Sequence, residues 1–197
     1  MIQQSSCFPY EQTNTGTTYT DLSELCRKQT DSSNLQDKLT GALIGLVRSI
    51  DGNEDLITEE TNQLILEGLF TTITNATFSD DTILPIIDKI KKEKQRLVPN
   101  CFYCTASCGR TDDYNMEELW NAKEEIRILK SNILFGIRGI ATYAYHAMVL
   151  GYKDETVYRF FYRALFAIGM DWGKEELLPI VLEVKEFFHY MQKNFHF

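Results

Sequence analysis

The chain has 197 residues, 24% of them charged, and a formal net charge of -8 at pH 7. That length holds a single domain whose core needs no disulfide staples, and the acidic balance excludes the basic stripe of a nucleic-acid surface. No run approaches the roughly 20 apolar residues that span a bilayer, so a membrane partner is not expected either.

Positions 1–33 read as an irregular N-terminal arm, rich in Thr, Ser, Gln and Asn and broken by Pro9 and Gly16. The opening MIQQSSCFPYEQ has neither a basic nor an apolar signal segment, which predicts a cytoplasmic protein. From Asn34 the pattern becomes helical, with Leu35, Leu39, Ala42, Leu43 and Leu46 on one face and Asp51-Gly52-Asn53 as the stop. A second helix is predicted from Thr58 to about Thr74, burying Leu64, Ile65, Leu69 and Phe70. A third begins near Thr82, with Ile83, Ile86, Ile87 and Ile90 on one side and Pro85 in its first turn. The lysine-rich stretch from Lys89 to Arg96 reads as the solvated C-terminal part of that helix.

Positions 98–115 read as a loop, with Pro99, Gly109 and three cysteines. Helix resumes over Met116–Glu124, turning Leu119 and Trp120 inward. The longest predicted helix, Ser131 to Tyr152, carries Ile133, Leu134, Ile137, Ile140, Ala141, Ala144 and Met148 at helical spacing. It is expected to be central, with Gly136 and Gly139 admitting a close neighbour and Arg138 and His146 beside its buried face. Gly151 should stop it and Asp154 should cap the next helix, Glu155 to about Met170. A last helix is predicted from Lys174 to Gln192, with a kink or delayed start at Pro179. No period-2 strand is evident, so the fold class is all-α: a helical bundle over 34–197.

The chain has five cysteines. In a reducing compartment they suggest metal ligation, redox chemistry or plain thiols, not disulfides. Cys101-x-x-Cys104-x-x-x-Cys108 could supply three thiolates to zinc or an iron–sulfur cluster. A fourth ligand would come from Cys7, Cys26 or a histidine; the plain alternative is a loop with three reduced thiols. His146 reads as a hydrogen-bonded core residue, and His189 and His196 as exposed. Asp80-Asp81 suits a helix start, and Asp112-Asp113 a solvated turn able to meet a hard cation. The aromatic series Tyr143, Tyr145, Tyr158, Phe160, Phe161, Tyr162 and Phe166 reads as core and interface. No P-loop, GxGxxG, nucleophile elbow or HExxH is present.

Several blocks resemble the N-terminal helical domain of the hybrid cluster proteins, also called hydroxylamine reductases or prismane proteins. They are Glu11-Gln12-Thr13, Leu35-Gln36-Asp37, LFTTITNATF from Leu69, CGRTDDYNMEELW from Cys108, LFGIRGIATYAYHAMVLGY from Leu134 and FFYRAL from Phe160. The resemblance implies an N-terminal iron–sulfur cluster held by four cysteines. Cys7 and Cys26 stand at the first and last of those positions, with Tyr10 and Tyr19 at the middle two. A phenol with a pKa near 10 replaces a thiolate poorly, so that cluster is not expected unless loop cysteines assist.

The family's hybrid iron–sulfur–oxygen cluster lies in later α/β domains, and the chain ends at Phe197 before any residue matching its ligands. No catalytic residue and no hybrid cluster are therefore expected here. The resemblance implies a truncated relative, non-catalytic alone, that acts as an interaction or assembly domain. Its expected partners are a second copy or a full-length homologue. The alternatives are a small iron–sulfur or zinc protein with residual electron transfer, or one piece of a split hydroxylamine or nitric oxide reductase.

Overall fold

The computed structural model of the chain describes residues 23–73, 80–98 and 112–194. Among them are seven α-helices and no strand: α1 (Ser23–Ile50), α2 (Glu59–Thr71), α3 (Asp80–Leu97), α4 (Met116–Trp120), α5 (Glu124–Val149), α6 (Glu155–Gly169) and α7 (Lys174–Asn194). The all-α expectation is met. Residues 1–22 of the expected N-terminal arm lie outside the described residues.

Most helix ends follow the local chemistry. The Thr58 hydroxyl accepts the Thr61 amide and the Thr61 hydroxyl accepts the Thr58 amide, a reciprocal cap that starts α2. Asp154 caps α6 as expected, accepting the Thr156 amide at 2.8 Å. Gly52 and Gly151 adopt φ of 79° and 86°, a region that disfavours side chains, and so end α1 and α5.

Several expected boundaries move. α1 begins at Ser23, not Asn34. No Pro or Gly lies between Gly16 and Gly41, and the weak propensities of Thr30, Asp31, Ser32 and Ser33 cost only a few tenths of a kcal/mol each. α3 begins at Asp80, so Pro85 falls in its second turn. The stretch Met116–Glu124 is broken after Trp120, and α5 starts at Glu124 and ends at Val149. α7 starts at Lys174 with Pro179 inside it, so no delayed start occurs.

The most enclosed stretch of described helix is residues 39–47 of α1, not α5. Every residue from 39 to 47 is buried, and Leu39, Leu43, Ile44 and Leu46 are fully enclosed. A helix enclosed on all sides is the centre of its bundle. α3, α6, α2 and α4 pack around it, and α5 packs on α7, α2 and α6. α5 is one-sided: Ile133, Leu134, Ile137, Ile140 and Ala141 are buried, but Ile128, Phe135 and Val149 are exposed. Burying one such Leu, Ile or Phe contributes about 1.5–3 kcal/mol. Phe160 and Phe161 are fully buried, and Phe160 stacks on Phe187 at 4.2 Å between ring centres. Tyr158 is also buried, and Tyr143, Tyr145, Tyr162 and Phe166 are half-buried against the core, as expected of that aromatic series.

Polar ties fix the register of α2. The Tyr162 hydroxyl donates to Asn62 Oδ1 at 2.5 Å, joining α6 to α2. Glu93 Oε1 accepts from the Thr61 hydroxyl at 2.5 Å and from Arg96 Nη2 at 2.7 Å. Arg96 also donates to the Leu56 carbonyl at 2.7 Å. The Arg96 hydrogen bond, against burial and with help from Thr61, holds the Glu93 carboxyl below its ordinary value. Because the folded value is depressed, this contribution is complete above the unfolded value near 4.5 and fades as pH falls through the folded one. Glu93→Gln is expected to cost about 1 kcal/mol near neutral pH, with Arg96 partly solvated. It should also flatten the acid side of a urea-midpoint profile.

Candidate functional site

The segment that follows the cysteine loop, Asp112–Asn115, lies as a strap across α1. The Tyr114 amide donates to the Gly41 carbonyl at 3.0 Å. A methyl on Gly41 would sit 2.2 Å from the Tyr114 carbonyl oxygen, and one on Gly45 2.7 Å from that of Asp112. The two glycines are one helical turn apart and form a bare track that lets backbone lie on backbone.

Three side-chain contacts pin this strap. Lys94 of α3 donates to Asp113 in an ion pair whose lysine side chain is 8% exposed. The expectation of a solvated Lys89–Arg96 face is therefore corrected at Lys94, whose ammonium faces the strap. Asp112 and Asp113 are exposed, as expected of a turn. The Tyr114 ring is buried, with the Lys130 ammonium 5.8 Å from its centre. Lys130 is itself buried and donates to the Met170 carbonyl at 2.7 Å, tying α5 to the α6–α7 turn. Burial lowers the Lys130 pKa and raises that of the Tyr114 phenol to about 12. Finally, Asn115 Oδ1 accepts the Glu117 amide at 3.0 Å and caps α4.

Beside the strap lies a polar junction of α1, α4 and α5. Trp120 Nε1 donates to Asp37 Oδ2 at 3.0 Å, and Arg138 Nη2 donates to the Thr40 hydroxyl at 2.9 Å. Burial raises the Asp37 pKa, opposed by the Trp120 hydrogen bond and by Arg138. Burial also lowers the Arg138 pKa to about 10, opposed by Asp37. Arg138 Nε is buried without a hydrogen-bond partner. Trp120→Phe keeps most of the ring but leaves Asp37 without its indole donor. It is expected to cost about 2 kcal/mol in urea unfolding. A raised carboxylate pKa means stability present at low pH and lost as pH rises through the folded value. The deficit should therefore be larger at neutral pH than below the ordinary Asp value of 3.8.

The candidate ligands are not assembled among the described residues. Cys7, Cys101, Cys104 and Cys108 lie outside them; Cys26 lies on α1, its side chain outside the description. Among the described residues no three His, Cys, Asp or Glu side chains converge to hold an ion. His146 is exposed, not core; its Nδ1 pairs with the Thr142 carbonyl at 2.7 Å and its ring meets Phe70 edge-on. His189 is exposed as expected, and His196 lies outside the described residues. No described helix is long and apolar enough to cross a membrane. Sequence reasoning missed the strap and the Lys94–Asp113 pair. The available signals were the small residues at Gly41 and Gly45 and the isolated Arg138.

The chain matches the Prismane/CO dehydrogenase family over residues 7–192. It belongs to that family. Its similar relatives include the hydroxylamine reductase of Methanococcus vannielii, 32% identical over 92% of this chain and 36% of that protein. The hydroxylamine reductase of Clostridium novyi is 34% identical over 83% of this chain and 33% of that protein. That of Chlorobaculum tepidum is 33% identical over 81% and 32%. The chain thus spans about a third of the length of the curated relatives it matches. Within this Prismane-family segment the strap and the junction use three of the blocks quoted above, Arg138 coming from the block at Leu134. Tyr114 and Trp120 come from the block at Cys108, and Asp37 from Leu35-Gln36-Asp37.

Proposed function

We propose that this chain is a helical assembly domain of the hybrid-cluster type, cytoplasmic, and that hydroxylamine reduction is not performed by it alone. The observation that carries this reading is the coverage: 92% of this chain aligns with the M. vannielii hydroxylamine reductase, yet that covers only 36% of the relative. The described polar groups fit a structural role. Asp37, Thr40, Arg138, Lys94 and Asp113 are engaged with one another, with Trp120 or with the strap, at the edge of the apolar core. The work left for such a segment is packing against a second copy or a full-length homologue. The test is turnover of hydroxylamine with a reduced viologen dye, with the M. vannielii enzyme as positive control. No turnover by the chain is expected; turnover within tenfold of the control would overturn the reading.

A second reading is favoured by the strap itself. The strap fixes residue 112 on α1 shortly after Cys101, Cys104 and Cys108, whose thiolates would hold zinc or an iron–sulfur cluster with an electron-transfer role. Chain reach selects among the fourth ligands. Four residues from Asp112 to Cys108 span at most about 14 Å. On a straight α1, Cys26 lies 19 positions before Gly45, about 28 Å along the axis. Sharing one ion between Cys26 and Cys108 would require unwinding the start of α1, which leaves Cys7 or a histidine as the fourth ligand. Changing Cys101, Cys104 and Cys108 together to Ser should lower the unfolding midpoint and remove bound metal under this reading, and do neither under the first. A split reductase completed by a separate chain fits either reading.

A further inference from the structure

The face of the bundle formed by α5 and α7 carries apolar side chains that no described element covers. The two helices run parallel: Gly136 faces Val184, and Gly139 and Tyr143 meet Phe188. Phe188 and Gly139 mark one side of the seam. With about 100° per residue, that side continues on α5 through Phe135 and Ile128, and on α7 through Lys185, Leu182 and Leu178. Ile128, Phe135, Leu178 and Leu182 are 42%, 44%, 41% and 57% exposed. Four large exposed apolar side chains thus gather on one two-helix face, the kind of patch that marks interaction sites.

The charges around this face are arranged end to end. At the N-terminal end of the helix pair stand Glu124 and Glu175, both exposed, while Glu125 there is neutralised by Lys174 at 2.6 Å. Toward the C-terminal end of α7 stand His189 and Lys193, with Lys185 between them and Leu182, all exposed. The remaining acid of that half, Glu186, turns toward α6, where it lines a groove with Thr156, Phe187 and Tyr190. The face is therefore acidic at one end, apolar in the middle and basic at the other. Such a surface is complementary to itself when turned end for end, which is the requirement of an isologous two-fold interface.

We infer that a second copy of this chain packs antiparallel onto the α5–α7 face, with the two-fold axis near Leu182. In that arrangement Leu182 meets its own equivalent, and Glu175 lies opposite His189 of the second copy. The inference rests on the assembly reading above and names its partner.

Sedimentation velocity of the purified full chain at tens of micromolar tests it. A dimer is expected. Leu182→Glu, an exposed position whose change should leave the circular dichroism and the urea midpoint unaltered, should weaken it about tenfold or more. Glu175→Lys and His189→Glu should each weaken the dimer, and the double variant should recover it. A monomer at every concentration would overturn the second-copy partner while leaving the assembly reading intact. A dimer indifferent to Leu182→Glu, or single charge reversals not restored by the double variant, would overturn this face as the interface. Hydroxylamine turnover would strike the assembly reading instead, so the two failures are distinguishable.

Discussion

Gly41→Ala is expected to destabilise the bundle by about 3 kcal/mol or more, at the upper end of what overpacking costs. The added methyl would stand 2.2 Å from the Tyr114 carbonyl oxygen, 3.3 Å from its carbonyl carbon and 3.7 Å from its amide nitrogen. Backbone cannot rotate out of the way as a side-chain tip can. The strap must lift, and with it go the Tyr114 amide bond to Gly41, the buried tyrosine ring and the Lys94–Asp113 pair. Gly45→Ala, at 2.7 Å from the Asp112 carbonyl, should cost somewhat less. Gly139→Ala is the internal control, because its methyl meets Phe188 at an ordinary 3.6 Å. There the gain in helix propensity, up to about 1 kcal/mol, should leave stability equal or raised. Urea unfolding followed by tryptophan fluorescence reads all three. A Gly41→Ala protein as stable as the parent would mean that the strap does not lie on α1.

Gly136→Ala should cost about 2 kcal/mol by the same measurement, for a different reason. Its methyl would fall 2.1 Å from Val184 Cγ1. A valine on a helix is held near one χ1 rotamer, so it cannot simply swing aside. The clash is with a side chain, however, and can be relieved from the other helix. Val184→Ala removes the offending methyl at the cost of a small void. The double variant should therefore be more stable than Gly136→Ala alone, and the coupling between the sites should exceed about 0.5 kcal/mol. Additive effects would mean that α5 and α7 do not meet at this point.

Much of this architecture is legible residue by residue. Thr58 and Asp154 announce helix starts because their side-chain oxygens satisfy amides that the helix itself cannot. Gly52 and Gly151 announce stops because the chain there needs positive φ. Gly136 and Gly139 announce a close neighbour, which proves to be α7. The same reasoning misplaces the centre. α1 reads as one-sided because Thr40, Gly41, Gly45 and Ser49 interrupt its apolar pattern. Yet Thr40 and Ser49 satisfy their hydroxyls on the Gln36 and Gly45 carbonyls, and the glycines receive the strap. Small residues and self-bonded hydroxyls are buried without leaving an apolar signature.

The candidate site was less legible. A backbone bond such as Tyr114 N–H to Gly41 carbonyl carries no side-chain pattern at all. Lys94 sits among solvated lysines and is distinguished only by the aspartate that folding brings from 19 residues away. Arg138 is visible as a charge beside apolar positions, but its bond to Thr40 spans 98 residues, and that of Asp37 with Trp120 spans 83. The five cysteines are the reverse case, conspicuous in sequence while their side chains lie outside the described residues.

The central claim is that this segment assembles and does not carry out redox chemistry by itself. The direct measurement is the iron, acid-labile sulfide and zinc content, with the visible spectrum, of chain purified without oxygen. A colourless, folded helical protein with well under one metal ion per chain is the expected result. Stoichiometric iron and sulfide with a broad absorption band in the violet would contradict it and turn attention to Cys101, Cys104 and Cys108 with Cys7. Stoichiometric zinc alone would contradict the metal-free expectation and assign those thiolates a structural ion.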